Sequence, residues 1–98
     1  MSSLKASRNP FSLRLGSTVI SFRSNEAGKG TVVIKKGRKT VRKLGTKTLG
    51  AGRVGKFKWD GRDSRRRPVA VGKYIAVVTM IDVAGNKTTR KLTVRVKA

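Results

Sequence analysis

Short stretches of alternating apolar and polar residues, separated by turn-forming residues, run through most of this chain. Residues 17–23 place Ile20 and Phe22 two positions apart among polar neighbours, and residues 31–36 repeat the pattern. Because a strand turns every second side chain to the same face, Ile20 and Phe22 are expected to be buried together. The pattern predicts β-strands over both stretches.

The second half of the chain carries the clearest strand patterns. Residues 53–59 place Phe57 and Trp59 on one face, and residues 87–97 alternate regularly. Residues 74–81 form the longest apolar run, which is apolar on both faces. Such a run predicts a central strand that is covered on both sides or lies at an interface, and it leaves room for self-association through this strand.

The remaining segments give weaker signals. Residues 1–10 are polar and basic and are predicted to form a flexible arm. Residues 11–15 are predicted to form a short edge strand. Residues 44–52 hold three glycines and are predicted to be mainly a loop.

The pattern as a whole predicts an all-β fold. About seven strands recur at the spacing of a sandwich, and no apolar stripe of helical period is sustained. A chain of 98 residues has room for one modest core. We therefore expect residues 11–98 to form one antiparallel β-sandwich of about seven strands.

A set of motifs lies between Gly52 and Asn86. It reads Gly-x4-Phe-x-Trp-Asp-Gly-x-Asp from Gly52, then Pro-Val at Pro68, Gly-x-Tyr at Gly72 and Asp-x-x-Gly-Asn from Asp82. This combination resembles the immunoglobulin-like domain of the bacterial flagellar hook-capping protein family, and the resemblance covers about residues 15–97. It implies an immunoglobulin or fibronectin type III sandwich without enzyme activity. It also implies a structural, spacer or adhesion module of secreted and cell-surface bacterial proteins.

The charge balance departs from what such a module requires. The chain has 25 Lys and Arg residues against four Asp and Glu, a formal net charge of +21. A surface of this kind attracts polyanions, and the candidate partners are nucleic acid, an anionic cell-wall polymer and anionic lipid. Neighbouring domains of a larger protein are the other candidate partners. No segment approaches the roughly 18 apolar residues of a membrane span, so none is expected. The alternative interpretation is a solvated basic surface that only protects strand edges from pairing.

The basic residues form clusters, and these are the candidate polyanion-binding residues. Three consecutive arginines follow the Trp-Asp-Gly motif, and planar guanidinium groups match phosphate geometry. The predicted polyanion-binding residues are Lys35, Lys36, Arg38, Lys39, Arg42, Lys43, Arg62, Arg65, Arg66, Arg67, Lys87, Arg90 and Lys91. Since no exposed aromatics are interleaved with them, binding is expected to be directed to the polymer backbone and tolerant of sequence.

Catalytic and cofactor sites are not expected. The chain has no Cys and no His, which removes the commonest general base and nucleophile pairs, and it lacks a phosphate-binding P-loop. Three of its four carboxylates lie in turns. Asp60, Asp63, Asp82 and Asn86 could bind Ca²⁺ if their turns met, but capping of their own turns is the favoured interpretation.

Trp59 and Tyr74 have two interpretations. They could form an aromatic platform for a base or a sugar, or Trp59 could fill the core while the Tyr74 hydroxyl ties down a loop. Both residues are in phase with apolar neighbours, which favours the core.

Two functions follow from these observations. The first is a non-catalytic immunoglobulin-like structural, adhesion or cell-wall-binding module of a bacterial surface or secreted protein, with an extracellular location. The alternative is a basic nucleic-acid-binding protein, with a cytoplasmic location. The first residues contain no apolar segment of a signal peptide, so an extracellular location would require a mature piece or an excised domain.

Overall fold

The computed structural model describes residues 2–14 and 16–98. Within these residues the chain forms eight β-strands and no helix. The strands are β1 Ser2–Ala6, β2 Phe11–Ser12, β3 Thr18–Arg23, β4 Gly28–Lys36, β5 Lys39–Leu49, β6 Val54–Trp59, β7 Gly72–Asp82 and β8 Lys87–Lys97. Leu15, the last residue of the predicted edge strand, lies outside the described residues.

The strands form two sheets. One has three strands in the order β1-β3-β6, and the other has five in the order β2-β8-β7-β4-β5. All pairs are antiparallel except β2 with β8, where Phe11 lies opposite Val96 in a short parallel pair. The prediction of an all-β fold is confirmed, whereas the prediction of wholly antiparallel pairing is wrong at β2.

The core lies between the two sheets. β3 and β6 contribute Ile20, Phe22, Phe57 and Trp59, all of which are buried. Trp59 packs edge-on against Tyr74 of β7, with ring centroids 5.5 Å apart, and so joins the two sheets. The sequence identified these residues because the apolar residues of each strand lie two positions apart, which places them on the same face.

β5 is longer than the sequence pattern indicates. The predicted loop over residues 44–52 is wrong for residues 44–49, which continue β5. The register of β5 against β4 shifts at two places, and these shifts leave Val41 and Leu44 as extra residues. Both side chains pack on the core. Because Val41 and Leu44 are three positions apart, the apolar residues of β5 do not show the period of two that is typical of a regular strand.

The N-terminal residues also differ from the predicted arm. Within residues 2–10, Ser2–Ala6 forms β1 and pairs with β3. The Asn9 amide group donates to the Thr93 carbonyl oxygen at 2.8 Å and accepts from the Arg95 N–H at 2.9 Å. Tertiary pairing therefore orders a segment whose polar sequence gives no strand signal.

β7 is the middle strand of the five-stranded sheet. Its backbone pairs with β4 on one side and with β8 on the other, so no strand edge is free for pairing with a second copy. Its inward side chains are buried, and its outward side chains face away from the core and are not covered by another layer. The central position predicted for the strand is confirmed. Because both edges of β7 are paired within the chain, strand pairing is not a route to self-association, and self-association through this strand stays a prediction.

In the part of the chain that the structure describes, no helix is long and apolar enough to cross a membrane.

Candidate functional site

Residues 60–71, the connection from β6 to β7, hold the three consecutive arginines and are called the arginine loop below. One carboxylate organises this loop. The Asp63 Oδ1 accepts hydrogen bonds from the N–H groups of Arg65 at 2.9 Å and Arg67 at 3.0 Å. The backbone closes the same turn, since the Asp63 N–H donates to the Arg67 carbonyl oxygen at 2.9 Å. The arginine side chains thus project from a hydrogen-bonded turn.

The pKa of Asp63 is lowered from its usual value. The main cause is the hydrogen bond from the Arg67 N–H, helped by the Arg65 N–H and by the positive charges of both arginines, while burial opposes the shift. The carboxylate is therefore ionised near neutral pH. Its oxygen is directed to the backbone of the loop, which leaves the guanidinium groups available to an external anion.

The two polar aromatics hold the ends of the arginine loop. The Trp59 Nε1–H donates to the Arg62 carbonyl oxygen at 3.1 Å, and the Tyr74 hydroxyl donates to the Ala70 carbonyl oxygen at 2.7 Å. Trp59 is fully buried, so it cannot stack on a ligand. The core interpretation of both residues is confirmed. Their contribution to the site is to fix the loop.

The arginine loop is docked on β5. The Ser64 N–H donates to the Val41 carbonyl oxygen at 2.9 Å. One residue further along β5, the Arg42 Nη1 lies 2.9 Å from the Asp60 Oδ1 in a partly exposed ion pair. These contacts bring together two basic clusters that are more than twenty positions apart in sequence.

The result is one concave surface at the β4–β5 end of the molecule, called the cationic cleft below. It consists of two adjoining hollows that share Ser64, with volumes of about 490 and 430 Å³. Both hollows are open to solvent rather than enclosed. The basic residues of the cationic cleft are Lys36, Lys39, Arg42, Lys43, Arg65, Arg66 and Arg67.

Positive charge within the cationic cleft is concentrated. Lys36 and Lys39 lie directly opposite each other across the hairpin, and like charges in that position destabilise a sheet. The Lys36 Nζ lies 4.7 Å from the centre of the Tyr74 ring, a cation–π distance. A bound anion would relieve the repulsion between these charges.

The other predicted site residues lie outside this cleft, or their side chains are bonded within the arginine loop. Arg38 is exposed at the tip of the β4–β5 turn, and the Arg62 guanidinium donates within the loop to the Arg66 carbonyl oxygen. Lys35, Lys87 and Lys91 lie on the opposite face of the five-stranded sheet.

Arg90 lies opposite the buried Val78, on the side of β8 that faces the core. Its side chain is nevertheless exposed, because the core does not extend to this part of the strand. The structure therefore does not assemble the predicted set into one site.

The second acidic turn lies at the other end of the sheet. The Asp82 Oδ1 accepts from the N–H groups of Ala84 at 3.0 Å and Asn86 at 2.8 Å, which is the capping arrangement expected from sequence. Asp82 pairs with the start of β4, whereas the arginine loop contacts the end of that strand. The acidic turns do not meet, and the described residues contain no cluster of three potential metal ligands.

Sequence reasoning found the basic residues of the cleft but missed how they are assembled. The two contacts that assemble it run from the Ser64 N–H to the Val41 carbonyl oxygen and from Arg42 to Asp60. The first joins backbone atoms and leaves no trace in residue type. The turn at Asp63 could be predicted from residue type. An Asp side chain often accepts hydrogen bonds from the N–H groups two and four residues later, and this arrangement is typical of a tight turn.

Comparison of the chain with protein-family models, with curated proteins and with solved structures gave no match.

Proposed function

We propose that this protein is a non-catalytic module that binds a phosphate-bearing polyanion in the cationic cleft. The observation that carries the proposal is the docking of the arginine loop on β5 through the Ser64 N–H. It gathers seven Lys and Arg residues around two hollows and leaves Asp63 engaged with backbone. A solvated basic face would not require basic clusters from separate parts of the chain to converge.

The chemistry of the cleft fits phosphate better than carboxylate or neutral sugar. Arg65, Arg66 and Arg67 supply planar groups that can donate two parallel hydrogen bonds to one phosphate. The Trp and the Tyr are buried, so base stacking contributes nothing and recognition is directed to the polymer backbone. We infer that binding tolerates changes in the sequence or composition of the polymer.

We further propose that the two sheets form an immunoglobulin-like sandwich that acts as a structural, adhesion or cell-wall-binding module of a bacterial surface or secreted protein. The resemblance over residues 15–97 and the two all-β sheets support this proposal. The corresponding partner is an anionic phosphodiester polymer of the cell wall. Nucleic acid is the second candidate, because its phosphodiesters offer the arginine loop the same chemistry.

A binding titration with three probes distinguishes these partners. The probes are a poly(glycerol phosphate) wall polymer, duplex DNA of similar phosphate content and a neutral dextran. The proposal predicts binding of the wall polymer, no binding of dextran, and weaker binding of DNA if the module acts at the cell wall. A preference for DNA would favour the nucleic-acid function, and equal binding of dextran would contradict both.

Two variants that each lose three positive charges test whether binding takes place in the cationic cleft. The cleft variant carries Arg65→Gln, Arg66→Gln and Arg67→Gln. The control variant carries Lys5→Gln, Lys56→Gln and Lys58→Gln, all exposed on the outside of the three-stranded sheet. The cleft variant is expected to lose at least tenfold more affinity than the control variant. Equal losses would show that only net charge matters.

A further inference from the structure

The side of the five-stranded sheet that faces away from the core carries its own pattern of charge. It is called the outer face below and is defined by residues directly opposite one another in β8, β7, β4 and β5. Its cations are Lys29, Lys35, Lys43, Lys73, Lys87, Lys91, Arg95 and Lys97. It has no carboxylate, because the four acidic residues of the chain, Glu26, Asp60, Asp63 and Asp82, lie in turns or at strand ends.

A solvated sheet face normally mixes charges of both signs, and this one does not. Lys73 and Arg95 lie directly opposite each other, which destabilises the pairing of β7 with β8. None of the eight cations forms an ion pair with a carboxylate of the described residues. A negatively charged partner would supply the missing counter-charge.

The outer face is partly apolar along its interior strands. Val33, Ile75 and Val77 are half-buried there, and Ile81 is 46% exposed. Four threonines then form a row across the four strands, in the order Thr89, Thr79, Thr31 and Thr46. This row presents hydroxyl groups between lysines on either side, and the Thr31 and Thr46 hydroxyls are hydrogen-bonded to each other at 2.9 Å. Threonine hydroxyls are common donors to phosphate oxygens.

Edge protection does not explain all of these cations. Lysines that prevent strand pairing lie on edge strands, whereas Lys29, Lys35 and Lys73 lie on the interior strands β4 and β7. Face-to-face association with a second copy is also disfavoured, because it would bring two sets of eight cations together. Charge complementarity therefore selects an anionic polymer as the occupant.

We propose that the outer face is a second polyanion-binding surface and that the module bridges two anionic chains. Binding of one chain in the cationic cleft rests on the proposed function, whereas binding of the other chain on the outer face does not. The cationic cleft opens toward Tyr74, on the core side of the sheet, and the outer face lies on the opposite side. The five-stranded sheet separates the two surfaces except along β5, where Lys43 borders both the second hollow of the cleft and the outer face.

The test measures how many short anionic chains one module binds. The probe is a DNA hairpin oligonucleotide with a stem of about six base pairs, roughly 20 Å long at about 3.4 Å per base pair, which is shorter than the 41 Å length of the molecule. The outer-face variant carries Lys29→Gln, Lys87→Gln and Lys91→Gln, which are distant from the cleft. We expect two oligonucleotides on the wild type and on the control variant, and one on the outer-face variant and on the cleft variant.

The outcomes separate the two proposals. If the outer-face variant still binds two oligonucleotides while the cleft variant binds one, the bridging proposal is overturned and the proposed function stands. If only the outer-face variant loses a site, the outer face binds and the cleft does not. One oligonucleotide on the wild type also overturns bridging. Circular dichroism melting of each variant verifies that the substitutions leave the fold intact.

A second readout tests bridging itself. Mixed with long duplex DNA at low salt, the wild type and the control variant are expected to sediment the DNA at low centrifugal force. The outer-face and cleft variants are expected to bind without sedimenting it. Sedimentation by the outer-face variant equal to that by the wild type would overturn the proposal.

Discussion

At the scale of single residues, the Asp63 carboxylate organises the turn of the arginine loop. This carboxylate accepts two N–H groups of the arginine loop and carries negative charge into the most basic region of the molecule. A purely electrostatic view predicts that its removal would strengthen polyanion binding. The structure predicts the reverse, because the turn that aims the arginines depends on it.

Asp63→Ala and Asp82→Ala form a matched pair for this question. Each raises the net charge by one and removes a carboxylate that accepts two N–H groups in a turn, but Asp82 lies at the far end of the sheet. We expect Asp63→Ala to weaken binding of poly(glycerol phosphate) several-fold and Asp82→Ala to leave it unchanged or slightly stronger. Calorimetric titration provides the measurement. Stronger binding by Asp63→Ala would contradict a preorganised cleft.

The same two carboxylates predict how stability depends on pH. Their pKa values are lowered in the folded chain, mainly by the N–H of Arg67 for Asp63 and the N–H of Asn86 for Asp82. An unfolded Asp titrates near pH ~3.9. Ionisation of these groups therefore stabilises the fold above about pH 4, and this contribution is lost as the pH falls from there through the folded pKa values.

The prediction is checked with thermal melts between pH 7 and pH 2. Below about pH 4, the melting temperature of the wild type is expected to fall more steeply than that of a double variant with Asp63→Asn and Asp82→Asn. Parallel curves for the two proteins would show that neither carboxylate contributes to acid sensitivity.

At the same scale, the sequence predicted the large core residues of β3 and β6 well. Ile20, Phe22, Phe57 and Trp59 were found because they alternate with polar residues on strands without bulges. The roles of the Trp59 indole and the Tyr74 hydroxyl as anchors of the arginine loop follow only from coordinates, since both partners are backbone carbonyl oxygens.

At the scale of elements, regular strands were predictable and interrupted ones were not. β6 and β8 alternate regularly, β3 places Ile20 and Phe22 on one face, and the positions of all three strands agree with the sequence pattern. The second half of β5 was missed because its two register shifts break the alternation. β1 was missed because its residues are mostly polar and small, and its pairing with β3 supplies the order.

The close approach of β4 and β7 gives an element-scale prediction. A Cβ added at Gly28 would lie 2.3 Å from the Ile81 carbonyl oxygen and 2.8 Å from the Asp82 Cα, so the two strands would have to separate. We expect Gly28→Ala to destabilise the fold by about 1–3 kcal/mol, the range of an overpacked core. Urea denaturation measures this change in the free energy of unfolding.

Gly50→Ala serves as the control for that substitution. A Cβ at Gly50 would meet its nearest atom, on the Arg53 side chain, at an ordinary 3.4 Å. Its effect is expected to remain within about 0.5 kcal/mol, as for most surface substitutions. Equal destabilisation by the two substitutions would contradict the packing of β4 against β7.

At the scale of the whole molecule, the sequence predicted that basic clusters exist but not which of them converge. Convergence depends on the order of strands in the sheet and on the docking of the arginine loop, and neither is encoded in the local pattern. The net charge of +21 is therefore divided between the cationic cleft, the outer face and the remaining surface. The proposed binding depends on the position of these charges as well as on their number.

The salt dependence of binding tests this account most directly. For duplex DNA as the probe, log K falls with log salt with a slope of about −0.9 for each phosphate neutralised. If the three arginines of the loop each engage a phosphate, the cleft variant should have a slope shallower than that of the wild type by about 2.7, while the slope of the control variant stays the same. Equal changes of slope in the two variants would contradict the cationic cleft as a binding site.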